Sequence, residues 1–327
     1  LYIRDKDSDR VWSNTYAPIN EKPEKYEVVF ASDRIKYSRN DGTINTKTEI
    51  TVCKNHNAEI RKITFKNNGD SIRHLELTTY TEPILSENMD DVSHRVFNNM
   101  FISTEYDKKT NSLIARRKSR GDANISSYML HRLLVLNSNY DYSYETERRR
   151  FIGRNKSSSN PEALNKELSN FCGDNLDPVL SMRNGIDLAP GASETVYIIM
   201  GFGRSKEQIM DIISSYNSES SIENAFKVAT LMNIINTKDM NISGGNMRIY
   251  NMMLNYLYQT TRVSADGDRM DLLRKNALGQ SGLWKFGISG DRPIILVEIS
   301  DISDMSFINE ILKAFEYYKN HSIFVDN

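Results

Sequence analysis

One glycine-rich stretch, residues 279–293 with the sequence GQSGLWKFGISGDRP, combines polar groups with an aromatic ring in a way that suits ligand binding. A sugar ring needs a flat apolar platform for its C–H face and fixed amide, carboxylate or guanidinium groups for its hydroxyls. The stretch offers Gln280, Ser281, Trp284, Asp291 and Arg292. The alternative is a plain connection whose glycines form turns and whose tryptophan fills a core. The residue types alone leave both interpretations open.

The carboxyl group of Glu316 is the second candidate for chemistry. It lies in the segment LKAFEYYKNHS, between Phe315 and the pair Tyr317 and Tyr318. Aromatic surroundings disfavour the charged form of a carboxyl group, which is how a general acid stays protonated near neutral pH. The alternative is an ordinary exposed glutamate on a helix.

Standard catalytic and cofactor motifs are missing from the sequence. It has no phosphate-binding GxxxxGK[ST] loop, no GxSxG nucleophile turn and no HExxH zinc motif. Its five histidines lack metal-ligand spacing, and its two cysteines, Cys53 and Cys172, lie far apart in the chain. We therefore expect no metal, no cofactor and a reducing compartment.

The composition argues against nucleic acid and membrane partners. Lysine plus arginine number 42 against 43 aspartates plus glutamates, so the net charge of -1 creates no field that would attract a polyanion. No window approaches the roughly 18 to 20 apolar residues of a membrane span, which predicts a soluble segment without membrane contact. The chain starts in mid-pattern without Met and stops in the apolar run IFVDN. This pattern predicts an excerpt of a larger polypeptide.

The elements that must position these candidates fall into two kinds, and the first kind is β-strands. Between Tyr26 and Phe202 the apolar residues alternate with a period of two, and turn sequences such as NDG, NNGD and APGAS separate the runs. Such a pattern predicts a large antiparallel sandwich of two sheets, without amphipathic helices between its strands. One interruption, residues 152–170, is predicted to be a surface loop with a short helix starting at Pro161.

The second kind is helices, which begin where the period changes at Arg204. Ser205 is suited to cap a helix whose apolar positions are Ile209, Ile212, Ile213 and Tyr216. Further helices are predicted at SIENAFKVATLMNIINT, MRIYNMMLNYLYQTTRV and DMSFINEILKAFEYYKNHS. The predicted domains are a β-sandwich over 1–203, a linker helix over 204–224 and an all-α region over 225–327.

Several blocks of the sequence resemble the central segment of cyclic β-1,2-glucan synthases, a family related in fold to the cellobiose-phosphorylase group of glycoside hydrolases. These blocks are YIRDKDSDRVWSNTYAPI, NNMFISTEYDKKTNSLIARRK, YETERRRFIGRNKSSSNPEAL, LDPVLSMRNGIDLAPGASETVYIIMGFGRSKEQ, GQSGLWKFGISGDRPIILVEI and AFEYYKNHSIFVDN. The resemblance covers nearly the whole chain. It implies a supersandwich, a linker helix and the first, incomplete part of an α/α six-hairpin toroid.

The resemblance also implies an activity. In that family this segment is the cyclisation domain, which cuts a linear β-1,2-glucan and joins the chain to itself with retention at the anomeric carbon. Retaining transfer uses two carboxyl groups about 5 to 5.5 Å apart. By resemblance Glu316 is expected to be the acid/base, and a nucleophile is expected after residue 327. Two positions depart from the family pattern, namely Phe315 in place of His and Arg292 in place of Leu.

The remaining expectations follow from the same resemblance. Gln280, Ser281, Trp284, Asp291, Arg292 and Tyr317 are expected to bind the glucan chain. Neighbouring domains of a larger synthase are the other expected partners, and the location is expected to be the cytoplasmic side of the inner membrane. Two alternatives stay open: a β-1,2-glucan phosphorylase or glucanase on the same scaffold, and a non-catalytic carbohydrate-binding or scaffold module.

Overall fold

The computed structural model describes residues 1–118, 126–136, 138–258, 270–271 and 274–326. The chain divides into two compact units, Leu1–Leu231 and Met232–Asn327, which we call the sandwich unit and the helical unit. Within the described residues, no helix combines the length and the apolar character that crossing a membrane requires.

Two antiparallel sheets build the sandwich unit. In chain order their strands are β1 Tyr2–Asp5, β2 Val11–Ser13, β3 Lys25–Phe30, β4 Ile35–Asp41, β5 Ile44–Val52, β6 Ala58–Asn67, β7 Arg73–Thr78, β8 Ile102–Asp107, β9 Ser112–Arg117, β10 Ser127–Val135, β11 Ser143–Glu147, β12 Pro178–Leu188 and β13 Ser193–Gly203. One sheet has five strands in the order β11-β12-β7-β1-β2, and the other has eight in the order β3-β4-β5-β6-β13-β10-β9-β8. The predicted large antiparallel sandwich is confirmed.

Strand β13 shows why its sequence VYIIM is apolar without interruption. Successive side chains of a strand point to opposite faces of the sheet. Val196 and Ile198 pack into the core between the two sheets, whereas Tyr197 and Ile199 pack on the other face with residues of a following helix. Both faces of this central strand are therefore buried.

The turn APGAS joins the two longest strands as the sequence predicts. Strand β12 ends at Leu188 and β13 begins at Ser193. Gly191 has a φ of +73°, a left-handed conformation that glycine adopts without steric cost. The turn thus carries the chain from the five-stranded sheet to the eight-stranded sheet.

The described helices are α1 Asn88–Asn99, α2 Arg148–Ile152, α3 Lys206–Ser215, α4 Glu219–Asp239, α5 Gly244–Tyr258, α6 Ser281–Trp284 and α7 Met305–Asn320. Two 3-10 turns are described, Glu162–Asn165 and Ile302–Asp304, and the first follows Pro161 at the predicted place. The expectation that no helix interrupts the strands is wrong, because α1 lies between β7 and β8. Met89, Val92 and Val96 have helical spacing in α1, but their side chains are exposed. They therefore do not form the buried apolar face by which a helix is predicted from sequence.

The segment 204–224 holds helix α3 and the beginning of α4. The Ser205 hydroxyl accepts a hydrogen bond from the backbone N–H of Gln208 at 3.4 Å and so caps α3, whose Ile209, Ile212 and Ile213 are buried. Tyr216 leaves the helical conformation, with φ −121° and ψ 56°, and ends α3. The domain limits at 203 and 224 stay a prediction, and the predicted continuations at 137 and 259–263 lie outside the described residues.

Candidate functional site

The glycine-rich stretch folds into a loop in the helical unit that closes on itself. The side-chain amide of Gln280 donates hydrogen bonds to the Ser289 carbonyl at 2.9 Å and to the Asp291 carboxylate at 2.7 Å. The indole N–H of Trp284 donates to the same carbonyl at 3.3 Å. Three of the predicted site residues, Gln280, Trp284 and Asp291, are therefore brought together around the backbone of Ser289.

Two glycines make this closure possible. Gly287 and Gly290 have φ angles of +76° and +75°, in the left-handed region that favours glycine. A Cβ atom on Gly290 would lie 2.9 Å from Cγ of Gln280, closer than van der Waals contact allows. Gly290 is thus required where the two ends of the loop meet.

The aromatic rings of the loop face solvent. Trp284 is 64% exposed and Phe286 is 69% exposed, so neither ring fills a core within the described residues. Gln280, Ser281 and Asp291 are exposed as well. The loop therefore presents flat apolar surface beside amide, hydroxyl and carboxylate groups, which is the combination that sugar binding requires.

Arg292 takes part in a different interaction. Its guanidinium group lies 3.7 Å from the Asp326 carboxylate and 5.3 Å from the centre of the Phe324 ring. Backbone hydrogen bonds of 2.9 Å, from Ile295 to Asp326 and from Asp326 to Pro293, join the same two segments. Arg292 thus helps to hold the segment after the loop, and the structure does not bring it into the Gln280 cluster.

Helix α7 carries the other two predicted residues, and they differ in exposure. Glu316 is exposed, whereas Tyr317 is only 4% exposed and its ring lies 4.3 Å from His321 and 5.9 Å from Tyr250. Burial raises the pKa of Tyr317 above its usual range. The tyrosines next to Glu316 in the sequence therefore form core and do not enclose its carboxyl group, which is open to solvent as in the alternative of an exposed glutamate on a helix.

A carboxyl group that the sequence reasoning missed lies one and a half turns earlier on α7. Glu310 accepts hydrogen bonds from the Tyr250 hydroxyl at 2.9 Å and from the Asn246 amide, and it pairs with Lys313 at 2.8 Å. The bond from Lys313, followed by that from Tyr250, lowers the pKa of Glu310. A signal for it exists, because Glu310 has helical spacing to Ala314 and Tyr317, which are buried.

Comparison with known proteins identifies the family of this chain. Residues 1–219 match the family described as glycosyl hydrolase 94, supersandwich domain. The chain belongs to this family. This membership agrees with the two antiparallel sheets and the helices that follow them, and it confirms the predicted fold class.

A curated relative confirms the predicted resemblance. It is the cyclic beta-(1,2)-glucan synthase NdvB of Rhizobium meliloti (strain 1021), 27% identical over 100% of this chain and 12% of the relative. The chain thus spans a small part of that protein's length. Similar solved structures include a putative kojibiose phosphorylase from human microbiome (TM-score 0.39, 11% identity, 70% of this chain and 27% of that one). Another is a bacterial glucoamylase complexed with acarbose (TM-score 0.43, 14% identity, 79% and 33%).

Family membership and the curated relative together support a carbohydrate-active function for this member of the glycosyl hydrolase 94 supersandwich family. Within the part of the chain that the structure describes, no group of three or more His, Cys, Asp or Glu side chains is arranged to hold a metal ion.

Proposed function

We propose that this chain contributes to a retaining transglycosylase that cuts β-1,2-glucan and joins the cut chain to itself, giving a ring. One observation carries the proposal: the similarity to a cyclic beta-(1,2)-glucan synthase covers 100% of the chain, whereas the supersandwich match ends at residue 219. The helical unit, with its exposed loop and Glu316, is therefore included in the similarity.

The loop is proposed to hold the glucan next to the reacting bond. Trp284 and Phe286 supply exposed rings for the C–H faces of glucose units, and the Gln280–Asp291 pair supplies fixed polar groups for their hydroxyls. Because hydrogen bonds already fix the loop, little conformational entropy is lost when a sugar binds. Ser281 and Arg292 are proposed to contact the glucan at the edges of this platform. The buried Tyr317 is proposed to support α7 from within the core.

Glu316 is proposed to be the acid/base of a two-step transfer. In the first step its carboxyl group gives a proton to the leaving glycosidic oxygen while a second carboxylate, expected after residue 327, attacks the anomeric carbon. In the second step a hydroxyl group at the far end of the same chain attacks that carbon, returns a proton to Glu316 and releases the second carboxylate. Since Glu316 is exposed, substrate reaches it without a change in the fold of α7.

A ring forms instead of a hydrolysed chain when a sugar hydroxyl outcompetes water in the second step. Holding the acceptor end close to the intermediate raises its effective concentration, and excluding water removes the competitor. The exposed aromatic surface of Trp284 and Phe286 is suited to both effects once glucan covers it.

The test is product analysis with linear β-1,2-glucan. After incubation of the complete protein with the glucan, an exo-acting β-glucosidase removes linear chains, and mass spectrometry weighs what resists digestion. We expect resistant products that are lighter by one water than linear chains of the same length. Glu316→Gln should abolish them, whereas Glu298→Gln, at another exposed glutamate of the helical unit, should not. Resistant products that persist in Glu316→Gln would contradict the assigned role.

The same experiment separates the alternatives. Sugar phosphate that forms only in the presence of inorganic phosphate would identify a phosphorylase, and glucan binding without any turnover would identify a binding module.

Attachment to the cytoplasmic side of the inner membrane through neighbouring domains is part of the proposal, and fractionation of cells that express the complete protein tests it.

A further inference from the structure

Two cavities of the sandwich unit share one wall. The larger, of about 690 Å³, and its neighbour, of about 360 Å³, are both lined by Asn57, Phe202 and Gln208. They therefore adjoin each other beside Phe202, and we call this pair of cavities the Phe202 groove. Tyr128 lines the larger cavity and His56 lines the smaller one.

Phe202 lies on the groove because of its place near the end of β13. It follows the side of the strand that carries Val196 and Ile198, whose side chains are buried, yet 46% of its own surface is exposed. Its backbone N–H donates to the Asn57 carbonyl at 2.8 Å, so the strand is held at this point. The partly exposed ring is thus carried by backbone that is held in place at the surface.

The start of α3 forms the next part of the wall. The backbone N–H of Arg204 donates to Oε1 of Gln208 at 2.7 Å, which fixes the amide. A Cβ atom on Gly203 would lie 3.1 Å from Cβ of Gln208, so the glycine allows the helix to approach β13 this closely. Gly203 also pairs with Tyr128 across the sheet, and Tyr128 lines the larger cavity together with Gln208.

The polar groups around the ring are available and of mixed charge. The side chains of five residues that line the larger cavity make no hydrogen bond or ion pair within the described residues, namely Asn57, Lys118, Arg204, Glu87 and Asp90. Because cations and carboxylates are nearly balanced, the groove does not favour a phosphate or another anion. An exposed aromatic platform beside balanced polar groups suits a neutral polyhydroxyl chain.

We propose that the Phe202 groove is a second glucan-binding site, additional to the loop of the helical unit. The groove holds a stretch of the glucan that is not being cut. One glucose ring lies against Phe202, and the neighbouring glucose units lie in the two cavities. This inference rests on the proposed function for the identity of the sugar. It predicts that the sandwich unit contributes binding and not only scaffold.

The test is calorimetric titration of the whole chain with linear β-1,2-glucan oligosaccharides. A Trp284→Ala background removes the exposed indole of the other platform, so that the groove dominates the signal. In this background Phe202→Ala should weaken binding about tenfold, as loss of an aromatic platform predicts, and Phe202→Tyr should preserve it. The control is Phe30→Ala, since Phe30 is 76% exposed on the edge strand β3 of the same sheet.

The outcomes separate this inference from the proposed function. Three results would contradict the proposed glucan site in the groove. They are unchanged binding when Phe202→Ala is added to the Trp284→Ala background, an equal loss with Phe30→Ala, and no glucan binding by the background itself. Selective weakening in Phe202→Ala supports the groove even if no ring products form, in which case only the transglycosylase proposal fails.

Discussion

The sandwich unit and the helical unit differ in how their side chains are used. In the sandwich unit, two sheets enclose an apolar core and even a charged pair, Arg39 and Asp41, has both side chains 0% exposed. In the described part of the helical unit, the buried cluster consists of Met247, Tyr250, Ala314, Tyr317 and Tyr318. Large apolar side chains at Trp284, Phe286, Leu296 and Phe307 remain more than half exposed. The buried charged pair thus lies in the first unit, whereas Glu316 and the loop proposed to hold the reacting bond lie in the second.

The largest expected effect comes from the buried ion pair of the sandwich unit. Arg39 donates to both carboxylate oxygens of Asp41, at 2.7 and 2.6 Å, and to the Thr15 carbonyl. Arg39→Met leaves the carboxylate buried without its partner, which should lower the free energy of unfolding by about 3 to 5 kcal/mol. Urea denaturation measures this change. Adding Asp41→Leu should recover most of the loss, and a failure to recover would show that the pair matters through other contacts.

The next prediction concerns the small core of the helical unit. Tyr318 is fully buried and its hydroxyl donates to the Tyr250 carbonyl at 2.7 Å. Tyr318→Ala should destabilise α5 and α7 by about 3 kcal/mol through the cavity it leaves. Hydrogen exchange should show faster amide exchange in these helices and unchanged exchange in β6 and β13. Tyr256→Ala, at a residue 60% exposed on α5, is the control. Faster exchange throughout both units would contradict the division.

A pH effect is expected for the sandwich unit. His131 is 1% exposed, its Nε2 lies 2.7 Å from the Thr79 hydroxyl, and burial, then the charge of Arg61, lowers its pKa to about 3. The unfolded chain takes up this proton near pH 6.5, so the stabilising contribution is complete above that pH and falls as the pH drops towards 3. At pH 5 the loss should be about 2 kcal/mol.

Denaturation midpoints at pH 7 and pH 5 measure this loss. His131→Gln should flatten the dependence, and His94→Gln, at an exposed histidine, should leave it unchanged. An unchanged slope in His131→Gln would mean that other groups control the acid response.

The smallest effect is expected in the loop. Gly290→Ala should strain the backbone by about 1 kcal/mol and displace Gln280, because the new Cβ would lie 2.9 Å from its Cγ. The fluorescence of Trp284, whose indole shares the Ser289 carbonyl with Gln280, should change as the loop opens. Gly279→Ala meets no atom within 4 Å and should leave the spectrum as it is. Equal spectra for the two variants would show that closure does not depend on Gly290.

Parts of this structure follow directly from sequence pattern. The alternation in β5 and β6 and the turn at Gly191 predict the sandwich, and the apolar spacing of Ile209, Ile212 and Ile213 predicts α3. Each of these depends on residues that are neighbours within one or two elements. The family resemblance added the identity of the sandwich and the helices that follow it.

Other features depend on contacts that no spacing reveals. The side-chain amide of Gln280 donates to Asp291, eleven residues later, because two glycines turn the backbone between them. Side-chain types alone cannot show this contact. The Phe202 groove gathers residues from β-strands, a loop and the start of α3, so it exists only in the folded sheet. The exposure of Glu316 beside two buried tyrosines depends on which face of α7 meets α5.

The most direct test of the central claim counts reducing ends while linear β-1,2-glucan is being cut. Intramolecular transfer releases one linear piece for each ring, so the number of reducing ends stays constant while masses lighter by one water accumulate. Hydrolysis adds one reducing end for every bond cut. We predict rings with a constant number of reducing ends. A rise of one reducing end per cut would contradict the account and identify a glucanase.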